Sequence, residues 1–425
     1  MRSFRVRLAA GVGVAALALA ACGSSGSTTH DARRPGPAVN HLVGSVRQVP
    51  SDPAAADGIA RAEQAFSIAL LQKLGSGSGN VSASPASLAI ALSMLANGAS
   101  GETKTQLDRA LRTTGLSAEQ VDAGWRGLLD AWQHARDVRL SSANAAWLQK
   151  GLPVEKDFLD TLASYYGAGV WQADFAGHMA DALKAINSWT SKNTHGKIAK
   201  LFDRLDPSTL LVLANAVYFK AAWQQPFDPH DTAPGPFTTD SGSSSAQFLT
   251  APHGNFPCAV GDGYQAVQLP YRGGEFAALA IMPTSGTLAD FTTGLTPQRL
   301  AGIVGALKQQ SVDLALPKFT TSSTLDLVPA LSALGMPIAF TDRADFSALT
   351  KQPVQVGQVV QRVYLSVAEK GTEAAAATGI EILPGAAQVP PPLNIRFDHP
   401  FLFLIRDVRT GALLFTSQIA DPTAS

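Results

Sequence analysis

The chain has 425 residues, with 33 Lys+Arg balanced by 33 Asp+Glu, and this neutrality leaves no electrostatic footprint for nucleic acid. With 46% apolar and 16% charged residues it has the composition of a folding chain, not a disordered one. Two cysteines, Cys22 and Cys258, exclude a disulfide framework and a metal cage built of cysteines.

Arg2, Arg5 and Arg7 precede an apolar run from Leu8 to Ala21, broken only by Gly11 and Gly13. About 14 apolar positions after a positive start fit a secretory segment and are too few to span a bilayer as a helix. Leu19-Ala20-Ala21-Cys22-Gly23 resembles the lipobox of bacterial lipoproteins. That resemblance implies cleavage before Cys22 and a diacylglycerol on its thiol, where several acyl chains anchor a soluble domain stably. The competing reading is an ordinary signal peptide cut after Ala21. The expected organisation is a signal segment over 1–21, a lipid-anchored flexible linker over 22–53, rich in Gly, Ser, Pro and Ala, and one domain over 54–425. The expected place is the outer face of a bacterial cell membrane. A competing reading of the linker packs the stretch around Leu42 to Val49 on the domain.

Helical signals come first. Ala60, Ala62, Ala65, Phe66, Ala69 and Leu70 recur largely on one face. Ser84-Pro85 starts a helix to Ala96, since serine caps free amides and proline fits the first turn. Ser117 with Gln120 predicts a capping box for a helix to about Ala135. Val138 to Leu148 is strand-like, while Phe158 to Tyr166 and Ala180 to Lys192 return to helical spacing. Leu210 to Tyr218 is apolar enough for a central strand. Further strands are predicted at Ala277–Met282, Val312–Leu316, Val354–Val367, Phe401–Ile405 and Ala412–Ile419. Helices early and strands late give α+β.

The usual catalytic spacings are missing. There is no nucleophile elbow, no serine followed three residues later by lysine, no His-Glu-x-x-His helix and no Walker loop. Gly261-x-Gly263-x-x-Ala266 is a loose dinucleotide match, but a strand-like segment follows where a helix is required. His195 reads as part of a surface turn, Asp203 and Asp206 as solvated carboxylates, and Cys258 as a buried inert thiol. The sequence therefore predicts no catalytic residue, no metal site, no cofactor and no enzyme.

Seven blocks point elsewhere. They are Asn80 to Ser87 with Ser84-Pro85-x-Ser87; Asn187, Trp189 and Thr194-x-Gly196-Lys197-Ile198; Asn215-Ala216-Val217-Tyr218-Phe219-Lys220 followed by Trp223 and Phe227; and Leu269-Pro270-Tyr271. The later ones are Glu369-Lys370-Gly371-Thr372-Glu373-Ala374-Ala375-Ala376-Ala377-Thr378, Phe397-x-x-x-Phe401, and Asp421-Pro422. In this order, from about Ala54 to Pro422, they resemble the serpin family of serine protease inhibitors. The resemblance implies an α+β fold of three β-sheets with about nine helices and an exposed reactive-centre loop. It implies suicide inhibition: the target serine protease attacks the loop and forms a covalent acyl complex, and the cut loop inserts as a new strand in the main sheet. The partners implied are that protease and, through the anchor, the membrane, for a monomeric inhibitor. The alternative function is a non-inhibitory serpin-fold binding protein at the cell surface.

In this resemblance Glu369, Gly371, Thr372, Glu373, Ala374, Ala375, Ala376, Ala377 and Thr378 form the hinge. Alternation then puts Thr372, Ala374, Ala376, Thr378, Ile380 and Ile382 on one face and Glu373 and Glu381 on the other, so no ion is buried on insertion. In inhibitory members the scissile residue usually lies about fourteen after the hinge glycine, which selects Gly385-Ala386; Ala386-Ala387 and Ala387-Gln388 are the alternatives. Pro384 blocks cleavage after Leu383 by fixing φ and removing an N–H. No Arg or Lys stands between Lys370 and Arg396, so small residues point to elastase-like or subtilisin-like proteases. Ser84, Ser87, Asn215, Gln361 and Trp223 are carried over as a sheet-opening cluster, with Gln361 where many serpins have a histidine. Ala221 and Ser417 stand where glycines are frequent in the family. Around Thr103 to Arg112 bases are sparse, and activation by heparin-type polyanions is not expected.

Overall fold

A computed structural model of the protein describes residues 39–49, 52–75, 79–135, 137–206, 208–372 and 391–424. Cys22, the hinge from Glu373 to Thr378 and the bond Gly385-Ala386 lie outside the described residues.

Helix starts follow the local chemistry. Pro53 and Pro85 open α1 (Pro53–Leu74) and α2 (Pro85–Ala96), flanked by the short strands β1 (Val39–Leu42) and β2 (Val81–Ala83). Asp52 caps α1 by accepting the Ala55 N–H at 3.0 Å. Ser84 departs from expectation. Its hydroxyl leaves the helix uncapped and donates to the buried Leu414 carbonyl at 2.6 Å. After α3 (Gly101–Ala110), α4 (Ala118–Gln133) opens on the predicted capping box of Ser117 and Gln120. Next come β3 (Val138–Gln149), α5 (Lys156–Thr161), whose chain continues as a π-turn to Tyr166, β4 (Val170–Ala173) and α6 (Met179–Asn193).

The strand-rich part begins with β5 (Leu211–Ala222), buried along most of its length. It is followed by β6 (Ala233–Thr239), β7 (Gly242–Gly261), β8 (Tyr264–Pro270) and β9 (Phe276–Pro283). Helices α7 (Leu288–Thr293) and α8 (Pro297–Ala306) precede β10 (Lys308–Pro317) and β11 (Phe319–Asp326). The chain ends with α9 (Val328–Ala333), β12 (Val356–Ala368), β13 (Gly371–Thr372), β14 (Leu393–Arg396), β15 (Phe401–Asp407) and β16 (Leu413–Ile419). The Gly261–Ala266 match is the hairpin between β7 and β8. Cys258 is fully buried, and burial pushes its thiol pKa up.

The main sheet has seven strands in the order β1-β4-β3-β5-β13-β12-β11. The remaining strands follow the path β14-β10-β7-β8-β9-β15-β16-β2, with β6 beside β7. The strand β7 pairs with β6 over Gly242–Phe248, with β10 over Phe248–Cys258 and with β8 over Cys258–Gly261. One long strand thus runs through two of the three expected sheets. Among the described residues there are nine α-helices.

Residues 39–47, expected above within the flexible linker over 22–53, instead attach to the domain. Val39–Leu42 pairs antiparallel with β4 as the outer strand of the main sheet. His41 stacks on Trp171 at 4.1 Å. Beyond it, Asp160 gathers the Ser45 N–H at 2.7 Å, the Arg47 guanidinium at 3.2 Å and the Lys156 ammonium. Lys156 first, then the Ser45 amide, hold its carboxyl at a pKa of about 2. Gly44 and Gly169 let the backbones meet, since a Cβ on either would lie within 2.3 Å of a neighbouring main-chain atom.

Glu63 of α1 is buried against β16. One carboxyl oxygen accepts from Ser67, and the other accepts the Leu413 N–H at 2.8 Å. Burial raises its pKa to about 8, with Asp407 adding to the rise and the two hydrogen bonds opposing it. The neutral acid is the folded form. Stability from this site is therefore present below the ordinary pKa of 4.5 and lost as pH rises toward about 8. The melting temperature is expected to fall between pH 5 and pH 8, and Glu63→Gln to flatten that slope. An unchanged slope in the variant would show that Glu63 titrates normally.

Candidate functional site

The strand β5 sits between β3 and β12, and its register with both places three amide side chains in one row. Asn215 is opposite Asn144 of β3 and opposite Gln361 of β12. The first turn of α2 packs against this row. Gln361 accepts the Ser84 N–H at 2.8 Å and donates to the Ser84 carbonyl at 2.9 Å and to Asn215 Oδ1 at 2.7 Å. Asn215 donates to Ser87 Oγ at 2.7 Å and to Asn144 Oδ1, and Ser87 donates to the same Asn144 oxygen at 2.9 Å. Ser84, Ser87, Asn215 and Gln361 are all buried. An amide both donates and accepts, so this set satisfies its polar atoms without a titrating group. Near it, Ser82 Oγ lies 2.7 Å from Thr321 Oγ1 and 2.8 Å from Ser417 Oγ.

The structure brings together four of the five cluster residues predicted from sequence and adds Asn144, which sequence reading missed. The only signal was a polar residue inside a strand, and its partner appears only once the register is known. Trp223 belongs elsewhere. It follows the end of β5, roughly 26 Å along the strand direction from Asn215, and its indole stacks on Tyr271 with ring centres 4.6 Å apart.

That second location is the base of the loop. The strands β5 and β12 pair directly from Leu211 and Val356 to Tyr218 and Tyr364. Farther on they part, and β13 stands between them, with Thr372 opposite Ala221 and Val367 and Gly371 opposite Ala222 and Ala368. Gly371 has φ +145°, and a Cβ there would lie 2.2 Å from the Ala221 carbonyl oxygen, so glycine is required. Trp223 donates its backbone N–H to Lys370 O at 3.0 Å and its indole N–H to Ala368 O at 2.9 Å. Glu369 accepts from Lys318 Nζ at 2.7 Å and from Thr232 Oγ1 at 3.1 Å. Burial is the largest single influence and works against its charge, but the Lys318 ammonium, its own backbone N–H and the Thr232 hydroxyl together outweigh burial and lower the carboxyl pKa. The loop thus leaves a fixed base with its first two residues already in the sheet.

A family model described as "Serpin (serine protease inhibitor)" matches residues 61–422. An uncharacterized serpin-like protein of Thermococcus kodakarensis is 33% identical over 371 residues, covering 86% of each chain. The native state of tengpin, a thermophilic serpin, superposes with a TM-score of 0.81 at 27% identity, over 89% of this chain and 97% of that one. Thyroxine-binding globulin in complex with thyroxine gives 0.77 at 27% identity, over 86% and 100%. The chain belongs to the serpin family. The expectation of no enzyme is corrected to the family's own description, a serine protease inhibitor.

Proposed function

We propose that this serpin is an inhibitor that works by cleavage and loop insertion. The observation that carries the reading is Gly371–Thr372 standing between β5 and β12, where a longer inserted strand has to begin. The loop sequence supports it, with an uncharged face from Thr372 to Ile382 that needs no ion desolvated. In the reaction the protease's serine oxygen attacks the Gly385 carbonyl, the C–N bond breaks, and the amine of Ala386 leaves carrying the proton. Gly385 stays joined to the protease as an ester while the freed loop zips into the sheet. Widening the sheet must break the Gln361–Asn215 bond, so the amide row acts as the clasp on opening.

The target class is elastase-like or subtilisin-like, because the residues around Gly385 are small and lack a basic anchor. Lipidation at Cys22 would hold the inhibitor at the outer face of the cell membrane, and Cys22→Ser would release it into the medium. The deciding experiment is incubation with subtilisin and pancreatic elastase, read on a denaturing gel and by mass spectrometry. A detergent-stable adduct and a released peptide beginning at Ala386 are expected. Cleavage with no adduct would return the chain to a binding role, as in thyroxine-binding globulin.

A further inference from the structure

We infer that a hollow between the end of α4 and the turns β8–β9 and β15–β16 binds an organic cation, an alkylammonium on an apolar stem, with Glu275 as its counter-ion. The hollow has a volume of about 380 Å³, within the range of small-molecule sites. Its walls come from three distant segments: Trp132 of α4, Glu275 and Phe276 at the start of β9, and Asp407 and Val408 at the end of β15. Gly274 stands in the turn ahead of Glu275 at φ +78°, and a Cβ there would meet nothing, so this side of the hollow stays open. Nothing in the site depends on cleavage of the loop.

Glu275 supplies the specific contact. Its Oε2 is covered from solvent and has no hydrogen-bond partner among the described residues. A covered carboxylate oxygen is costly without a donor, and here the donor has to come from outside the chain. Arg409, the one basic residue of the lining, is paired with Asp57 of α1 at 3.1 Å, and the neighbouring Arg406 donates to Gln268 at 2.9 Å. Asp407 adds a second negative wall. It is fixed in place by the Trp132 indole N–H at 3.0 Å and by the Arg409 and Thr410 amides at 2.9 and 3.0 Å. Trp132 and Phe276 offer aromatic surface that favours a cation and its stem over water. Val408, 37% exposed, is an apolar lip at the mouth. Free diamines and the lysine side chain of a partner protein share the chemistry this arrangement fits.

The test titrates the full chain by calorimetry with cadaverine, with a doubly capped lysine, and with the capped norleucine that lacks the charge. Saturable heat is expected from at least one of the two amines and none from norleucine. Whichever amine binds more tightly names the source, a free diamine or a partner's side chain. Glu275→Gln should weaken binding by at least about tenfold, the ratio one charged hydrogen bond supplies. Ala131→Tyr, at an exposed position of α4 on the lining, should fill the hollow and abolish binding with Glu275 still in place. Melting curves add a second readout: Glu275→Gln should melt no lower than wild type, because Oε2 has no partner to lose. A marked drop would show that the carboxylate serves the fold and would overturn the assignment. So would the absence of saturable heat with either amine, an equal response to norleucine, or undiminished binding in either variant.

Discussion

Cutting the loop near Gly385 should raise the melting temperature by about 20 °C. Roughly ten further residues would join the main sheet, and at about 0.5–1.5 kcal/mol net per hydrogen bond the gain is on the order of 10 kcal/mol. At roughly 2 °C per kcal/mol for a domain of this size, that gives the expected shift. The uncut form is then held by a barrier, not by its depth. The two seated residues fix where the added strand starts, and Ala374, Ala376 and Thr378 continue the uncharged face inward. Calorimetry before and after limited subtilisin digestion makes the comparison. Equal transitions would mean that the severed segment stays out of the sheet.

The second large effect is expected at the amide row. Gln361→Leu removes three buried contacts at once and leaves the Ser84 N–H, the Ser84 carbonyl and Asn215 Oδ1 without their Gln361 partner. The Ser84 carbonyl keeps the Leu88 N–H at 3.1 Å, so two groups are left unpaired; at about 1–3 kcal/mol for each, the uncut protein should melt at least about 4 °C lower. Continued down both strands, the register of Thr372 sets Thr378 opposite Asn215 and Gln361 in the cut form. Its hydroxyl then stands where the Gln361–Asn215 bond had been. Thr378→Val should accordingly shrink the gain on cutting while leaving the uncut melting point in place. A variant that lowers both alike would place Thr378 in the uncut structure's core instead.

Much of this was legible in the sequence, for identifiable reasons. Pro53 and Pro85 mark helix starts because proline loses nothing in a first turn, and Ser117 with Gln120 announces α4 because both cap partners are local. Strands β6 and β7 were hidden by their composition. Pro234 and Pro236 interrupt the first, and Pro252, Gly254 and Pro257 the second. Pairing survives there because the register with β10 shifts between Val312 and Leu314, leaving Pro252 and His253 out of the ladder, with the His253 N–H on Asp313 Oδ1 at 2.8 Å. Within the site, Ser84, Ser87, Asn215 and Gln361 were found through family blocks. Asn144 was not, because its place there depends on contacts between distant segments. Ser84 misled as a cap for the same reason: the buried Leu414 carbonyl needs a donor more than an amide at the start of α2 does.

The stitching of Val39–Leu42 to the main sheet, and of Ser45 and Arg47 to Asp160, has a mechanical consequence. Whatever restrains the N-terminal end of this chain hauls on a hydrogen-bonded edge and on the Asp160 clasp, not on a slack loop. The ribbon that takes the strain is the outermost strand of the seven-stranded sheet, so tension on the leash reaches β5 only across β4 and β3.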